Sequence, residues 1–144
     1  MKPQWLALIT AMAWGIGGYF EKKGLHLGHL SPQLGITIRT AVALVILGTA
    51  SFPQWKTITR AGPASLAMMI IGGGIVAGSL GMLSFYAALR GADSLSQVMP
   101  IAFTSPLFSA LMGLIFRTEK LTWQTALGMA LTISGIVVLT TAHK

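Results

Sequence analysis

The residues able to do polar chemistry are few, and Arg39 is the sharpest of them. It sits in the apolar stretch Ile36-Thr37-Ile38-Arg39-Thr40. A guanidinium there must snorkel to an interface, pair with an acid, or face water. Facing water, it would hold the anionic group of a small molecule. The competing reading is snorkelling, or pairing with Glu21. Glu21 closes the first apolar run beside Lys22 and Lys23. It reads either as a coupling group that exchanges a proton or as an interfacial anchor. Trp14, Tyr19, Phe85 and Tyr86 are aromatic faces that could stack on a solute, hold a cation, or simply pack. Ser79, Met82 and Tyr86 fall on one helical face, and Gln97 and Pro100 follow in the next apolar run. His26 and His29 lack the further ligands a metal needs, so no metal site is expected. No nucleophile–base pair, phosphate loop or dinucleotide fingerprint is present. Gly15-x-Gly17-Gly18 lies inside an apolar run and reads as packing. Neither an enzyme nor a cofactor is expected.

The elements that must position these groups are five apolar runs, at 4–21, 34–52, 64–89, 95–116 and 122–141. Each is long enough to cross a hydrocarbon core about 30 Å thick as a helix. Barrel strands would need alternating segments of about 10 residues, and none is present. The expected fold is an all-α membrane protein of five transmembrane helices in one domain over residues 1–144. Of 144 residues, 53% are apolar and 9% charged. Mean hydropathy is +0.73. Soluble domains carry about 25% charged residues, so the lipid bilayer is the expected surrounding. The net charge of +7 then reads as contact with anionic headgroups, not nucleic acid. The absence of cysteine rules out disulfides and thiolate sites. Ala11-Met12-Ala13 has a small-x-small form, but the apolar run continues to Phe20. The first run therefore reads as an uncleaved span.

Small residues and prolines mark how the runs would pack. Gly74, Gly78 and Gly81 share nearly one α-helical face of the third run, as Gly128 and Gly135 do in the fifth. Such faces let another helix backbone approach closely. Pro100 and Pro106 predict kinks in the fourth run. Ser31-Pro32 reads as an N-cap followed by proline at the first helical position. The stretch 54–61 is expected to be a loop, with Trp55, Lys56 and Arg60 at the headgroups. Loop charge gives almost no orientation. Lys2, Lys56, Arg60, Arg117 and Lys120 fall on one side, and Lys22, Lys23, Arg39, Arg90 and Lys144 on the other. Without a bias the chain can insert both ways round and pair antiparallel with its own copy. The alternative is one orientation with a weak bias.

The order of several motifs resembles the EamA-type domain of the drug/metabolite transporter superfamily. Ser84-Phe85-Tyr86-Ala87-Ala88-Leu89-Arg90-Gly91-Ala92 is similar to that family's aromatic–Ala–Leu helix ending. Val98-Met99-Pro100-Ile101 and the run from Pro106 to Gly113 are similar to its fourth helix. Arg117-Thr118-Glu119-Lys120-Leu121-Thr122 resembles its glutamate-bearing connection, and Gln124 to Gly128 with Gly135-Ile136-Val137 its fifth helix. Ala13-Trp14-Gly15 and Arg39 fit more loosely. The resemblance covers nearly the whole chain. It implies one half-transporter unit of a kind usually found twice, and movement of a small metabolite or drug-like solute by alternating access. It adds weight to Trp14 and Tyr86 as solute contacts and names no substrate. The small multidrug resistance proteins use a mid-membrane acid in their first helix, and no such acid is present here. Proton antiport of that kind is therefore not expected. The expected assembly is an antiparallel homodimer, and the expected place is a bacterial inner membrane. A reading of another class is a non-transporting membrane subunit that assembles with a different chain.

Overall fold

A computed structural model of the chain describes residues 3–118, 120 and 122–141. Lys2 and Lys144 of the charge balance, and Glu119 and Leu121 of the connection before the fifth run, lie outside the described residues. Among the described residues every regular element is helical and none is a strand. Contacts gather in two units, residues 1–91 and 92–144.

The first unit opens with α1, Pro3–Leu27. It runs past the end of the first apolar run at residue 21, through Glu21-Lys22-Lys23. Hydropathy marks where lipid contact ends, but a helix stops only at a breaker, and the chain reaches one at Gly28-His29. His29 adopts the left-handed φ of 48°. The Leu30 amide returns to the Leu25 carbonyl at 3.0 Å, the six-to-one bond of a left-handed helix cap. Ser31 then caps α2, Pro32–Ser51, by accepting from the Leu34 amide at 3.2 Å. Pro32 occupies the first turn, where its missing N–H costs nothing.

The stretch expected as a loop after α2 is instead a 3₁₀ helix, Phe52–Arg60. Pro53 removes one donor without preventing the tighter turn. The Trp55 indole donates to Ser51 Oγ at 3.0 Å, and its ring lies 5.8 Å from that of Phe52. The third run is a rod of three parts: α3, Pro63–Met68; a π-helical segment, Met69–Gly81; and α4, Met82–Gly91. The Ser79 hydroxyl follows the wider register, donating to the Gly74 carbonyl five residues back at 3.0 Å.

In the second unit the fourth run is two helices, α5, Leu95–Ala102, and α6, Ser105–Ile115. Pro106 cannot donate to Ala102, so the chain turns at Phe103-Thr104 and restarts. The Thr104 hydroxyl satisfies the Ile101 carbonyl at 2.7 Å. Pro100, by contrast, stays inside α5. Arg117 ends this stretch with a φ of 54°. The last helix is α7, Trp123–Thr141, and it packs on α5.

Four stretches among the described residues are long and apolar enough to cross a membrane: Pro32–Arg60, Pro63–Gly91, Leu95–Ile115 and Trp123–Thr141. α1 is not one of them. Its length is sufficient, but Gln4, the tryptophans, the glycines and the charges at its end lower its hydropathy. Among the described residues the fully buried hydrophobic side chains are few: Leu25, Tyr86 and Leu89. Leu44, Val45, Met68, Met69 and Val138 all point outward. In water this would be a costly surface, whereas lipid tails receive it without penalty.

Candidate functional site

The site lies in the first unit, where α1, α2 and α4 pack together. Two layers of side chains meet there. Four-residue spacing stacks them, because positions i and i+4 share a helix face. Leu25 and Glu21 are so paired on α1, and Gly35 and Arg39 on α2. The layer nearer the α1–α2 turn is apolar. Leu25 and Tyr86 both press on Gly35. A Cβ added there would stand 2.6 Å from Leu25 Cδ2 and 3.0 Å from Tyr86 Cδ1 and Cε1. A side chain there would force Leu25 or the Tyr86 ring to shift, so glycine favours this close approach. One turn further along is the ion pair, Arg39 Nε to Glu21 Oε1 at 2.9 Å. Arg39 is the eighth residue of α2, so it lies about 10 Å beyond the helix start at 1.5 Å per residue. Two charges at that depth are tolerable because they cancel.

Tyr86 joins the two layers. Its ring fills the space beside Gly35 and is 1% exposed. Its hydroxyl is buried and does not complete a hydrogen bond. Glu21 and Arg39 are the charges that act on that hydroxyl, and the carboxylate is the acceptor within its reach. The cluster is braced at its outer end by Arg90, whose Nη1 donates to the Leu30 carbonyl and ties the end of α4 to the α1–α2 turn.

The other expected site residues divide by unit. Trp14 lies on α1 two turns before Glu21 and is 54% exposed. Met82 is half-buried one turn before Tyr86, and the Phe85 ring meets that of Tyr86 edge-on at 6.2 Å. Ser79 is engaged with its own helix backbone. Gln97 and Pro100 are half-buried on α5, in the second unit. Of the packing glycines, Gly74 and Gly81 would meet only carbonyls of their own helix, and Gly128 and Gly135 open space. In the wider π register a seven-residue spacing no longer returns to one face, so Gly81 leaves the stripe expected for an α-helix. Gly35 was not singled out from the sequence. Its one signal was a glycine one turn before an intramembrane arginine. His26 and His29 join no metal-ligating group among the described residues.

Long helices with outward apolar side chains, and an ion pair held between them, define a multi-pass helical membrane protein. The family model of the EamA-like transporter family matches residues 1–141, and the chain belongs to that family. It is similar to an uncharacterized protein of Methanocaldococcus jannaschii, 27% identical over 139 residues and 96% of each chain. It is also similar to an uncharacterized transporter in the cobO 3' region of a Sinorhizobium species, 26% identical over 138 residues and 94% of each chain. No solved structure matches it significantly.

Proposed function

We propose that the chain moves a small organic solute across a membrane by alternating access, as an antiparallel pair of identical copies. The carrying observation is the Glu21–Arg39 pair at 2.9 Å within the packed helices of the first unit. Intramembrane charge is expensive and is kept where a polar path needs it. Membership of a transporter family supports the same reading, as does the printed name of the Sinorhizobium relative.

In this reading α1 is a fifth span. Its 25 residues reach about 37 Å at 1.5 Å per residue, and charges near its end would sit at the interface. A unit of this size has few helices with which to enclose a path. A second copy in the opposite sense would supply the rest, as inverted repeats do in many transporters. The near-equal division of basic residues supports this. Arg39, Tyr86, Met82 and Trp14 are the proposed solute contacts of the first unit, with Ser79 at the rod's π segment. Gln97 and Pro100 are those of the second. A bacterial inner membrane is the proposed location.

The test is flux. Purified protein in liposomes, loaded with a panel of radiolabelled organic acids, amines and neutral solutes, should give saturable uptake of at least one, lost in Arg39→Ala. Absence of protein-dependent uptake across the panel, with isolation only beside a different chain, would favour a non-transporting subunit.

A further inference from the structure

We infer that Arg39 is the receptor for a small organic oxyanion, that Glu21 occupies this receptor when no solute is bound, and that Tyr86 receives Glu21 when the anion displaces it. The inference rests on the transport reading only in taking that anion as the solute carried.

Three observations meet here. The first is the form of the ion pair. A guanidinium offers five N–H donors in a planar fork, and one carboxylate can engage two at most. The Arg39 side chain is 40% exposed and Glu21 22%. The cation is thus the more accessible partner, and an arriving group meets it first. The second is the Tyr86 hydroxyl. It is a buried donor that faces the Glu21 carboxylate without completing a hydrogen bond to it, while that carboxylate is turned toward Arg39. Gly35 holds the ring in this position by leaving no side chain in its way. A donor whose bond is incomplete in one state is accounted for if its acceptor comes fully to it in another, and Glu21 is the acceptor it faces.

The third is the balance of charge. Within residues 1–91 Glu21 is the sole acid, against Lys2, Lys22, Lys23, Arg39, Lys56, Arg60 and Arg90. A cationic solute taking Glu21 would strand Arg39 among helices that hold no second carboxylate. An anionic solute taking Arg39 strands nothing: Glu21 turns to the Tyr86 hydroxyl, and the surrounding field is basic. Exchange of one carboxylate for another on a single guanidinium breaks and makes charge-assisted hydrogen bonds in equal number. It lets a weakly bound solute enter and leave.

The experiment uses three probes that share a phenyl ring and differ in charge: benzoate, benzylamine and benzyl alcohol. Each is titrated calorimetrically into the full-length protein in lipid nanodiscs. Wild type should bind benzoate and prefer it to benzylamine. Glu21→Gln keeps the size and the acceptor but not the competing charge. It should tighten benzoate about tenfold, equivalent to 1.4 kcal/mol, and leave benzyl alcohol unchanged. Arg39→Gln should abolish benzoate binding. Tyr86→Phe should weaken benzoate in the wild-type background and have little effect on top of Glu21→Gln, because a neutral amide does not compete with benzoate for Arg39 and need not be drawn away by the hydroxyl. Unchanged or weaker benzoate binding in Glu21→Gln would overturn the inference, as would a preference for benzylamine or no benzoate binding in either protein. If Glu21→Gln does not fold, equal benzoate affinity in wild type and Tyr86→Phe overturns it instead. Liposome flux separates the two readings. Flux without this binding signature removes the anion receptor and leaves the transporter. The signature without flux of any solute does the reverse.

Discussion

At the scale of single residues, the first unit turns on one glycine and one ion pair. Gly35→Ala puts a methyl group 2.6 Å from Leu25 Cδ2, and overpacking of this kind costs about 1–3 kcal/mol. Its melting temperature in detergent should fall clearly, while Gly128→Ala, which meets open space, should melt like wild type. Arg39→Ala leaves Glu21 without its partner. For fully buried pairs that loss is about 3–5 kcal/mol; with Arg39 40% exposed a smaller loss is expected, about 1–2 kcal/mol after screening. The double variant Arg39→Ala/Glu21→Ala should recover part of it in a double-mutant cycle. Additive losses would mean the pair is incidental. Arg39 and Glu21 were legible in the sequence, since charge in an apolar run is conspicuous, and their pairing was one of the open readings. Gly35 was not. Its importance comes from Leu25 and Tyr86, residues of two other helices, and a single sequence does not say which helices meet.

At the scale of elements, periodicity located the apolar runs well and their internal form poorly. The apolar pattern of the third run predicts one α-helix, yet its middle is a 13-residue π segment. Apolar residues surround that helix on every side, so no polar face records how many residues fill a turn. Five glycines in 72–81 give the backbone freedom to widen. The register can be probed at Gly78, where a Cβ would stand 2.8 Å from the Gly73 carbonyl oxygen. Gly78→Ala should therefore destabilise the protein by about 1 kcal/mol or more, whereas Gly72→Ala, which meets nothing, should not. Equal melting of the two variants would argue against the π register. The fourth run shows the opposite case. Its break was expected from Pro106 and occurs where that missing donor requires it. The end of α1 and the 3₁₀ helix after α2 differ from expectation for one reason. Charged and polar residues end contact with lipid but do not end a helix.

At the scale of the molecule, the decisive quantity is which way the chain lies. The protein has no cysteine, so one cysteine introduced at Lys144 reports alone. Impermeant thiol labelling in intact cells should reach about half of the molecules if insertion runs both ways, and all after lysis. All-or-none labelling would end the antiparallel homodimer. Within the first unit, the fully buried side chains, Leu25, Tyr86 and Leu89, all sit near the α1–α2 turn, where Arg90 also ties α4 to Leu30. The far ends of α1 and α2 carry exposed side chains such as Trp5, Leu6, Leu44 and Leu47. Mechanically this is a pair of tongs, riveted at one end and with outward-facing side chains at the tips. A rivet sets the axis about which the arms swing, and small rotations there become large displacements at the tips. A covalent staple across the tips should arrest such a motion. The same staple beside the rivet should leave it free.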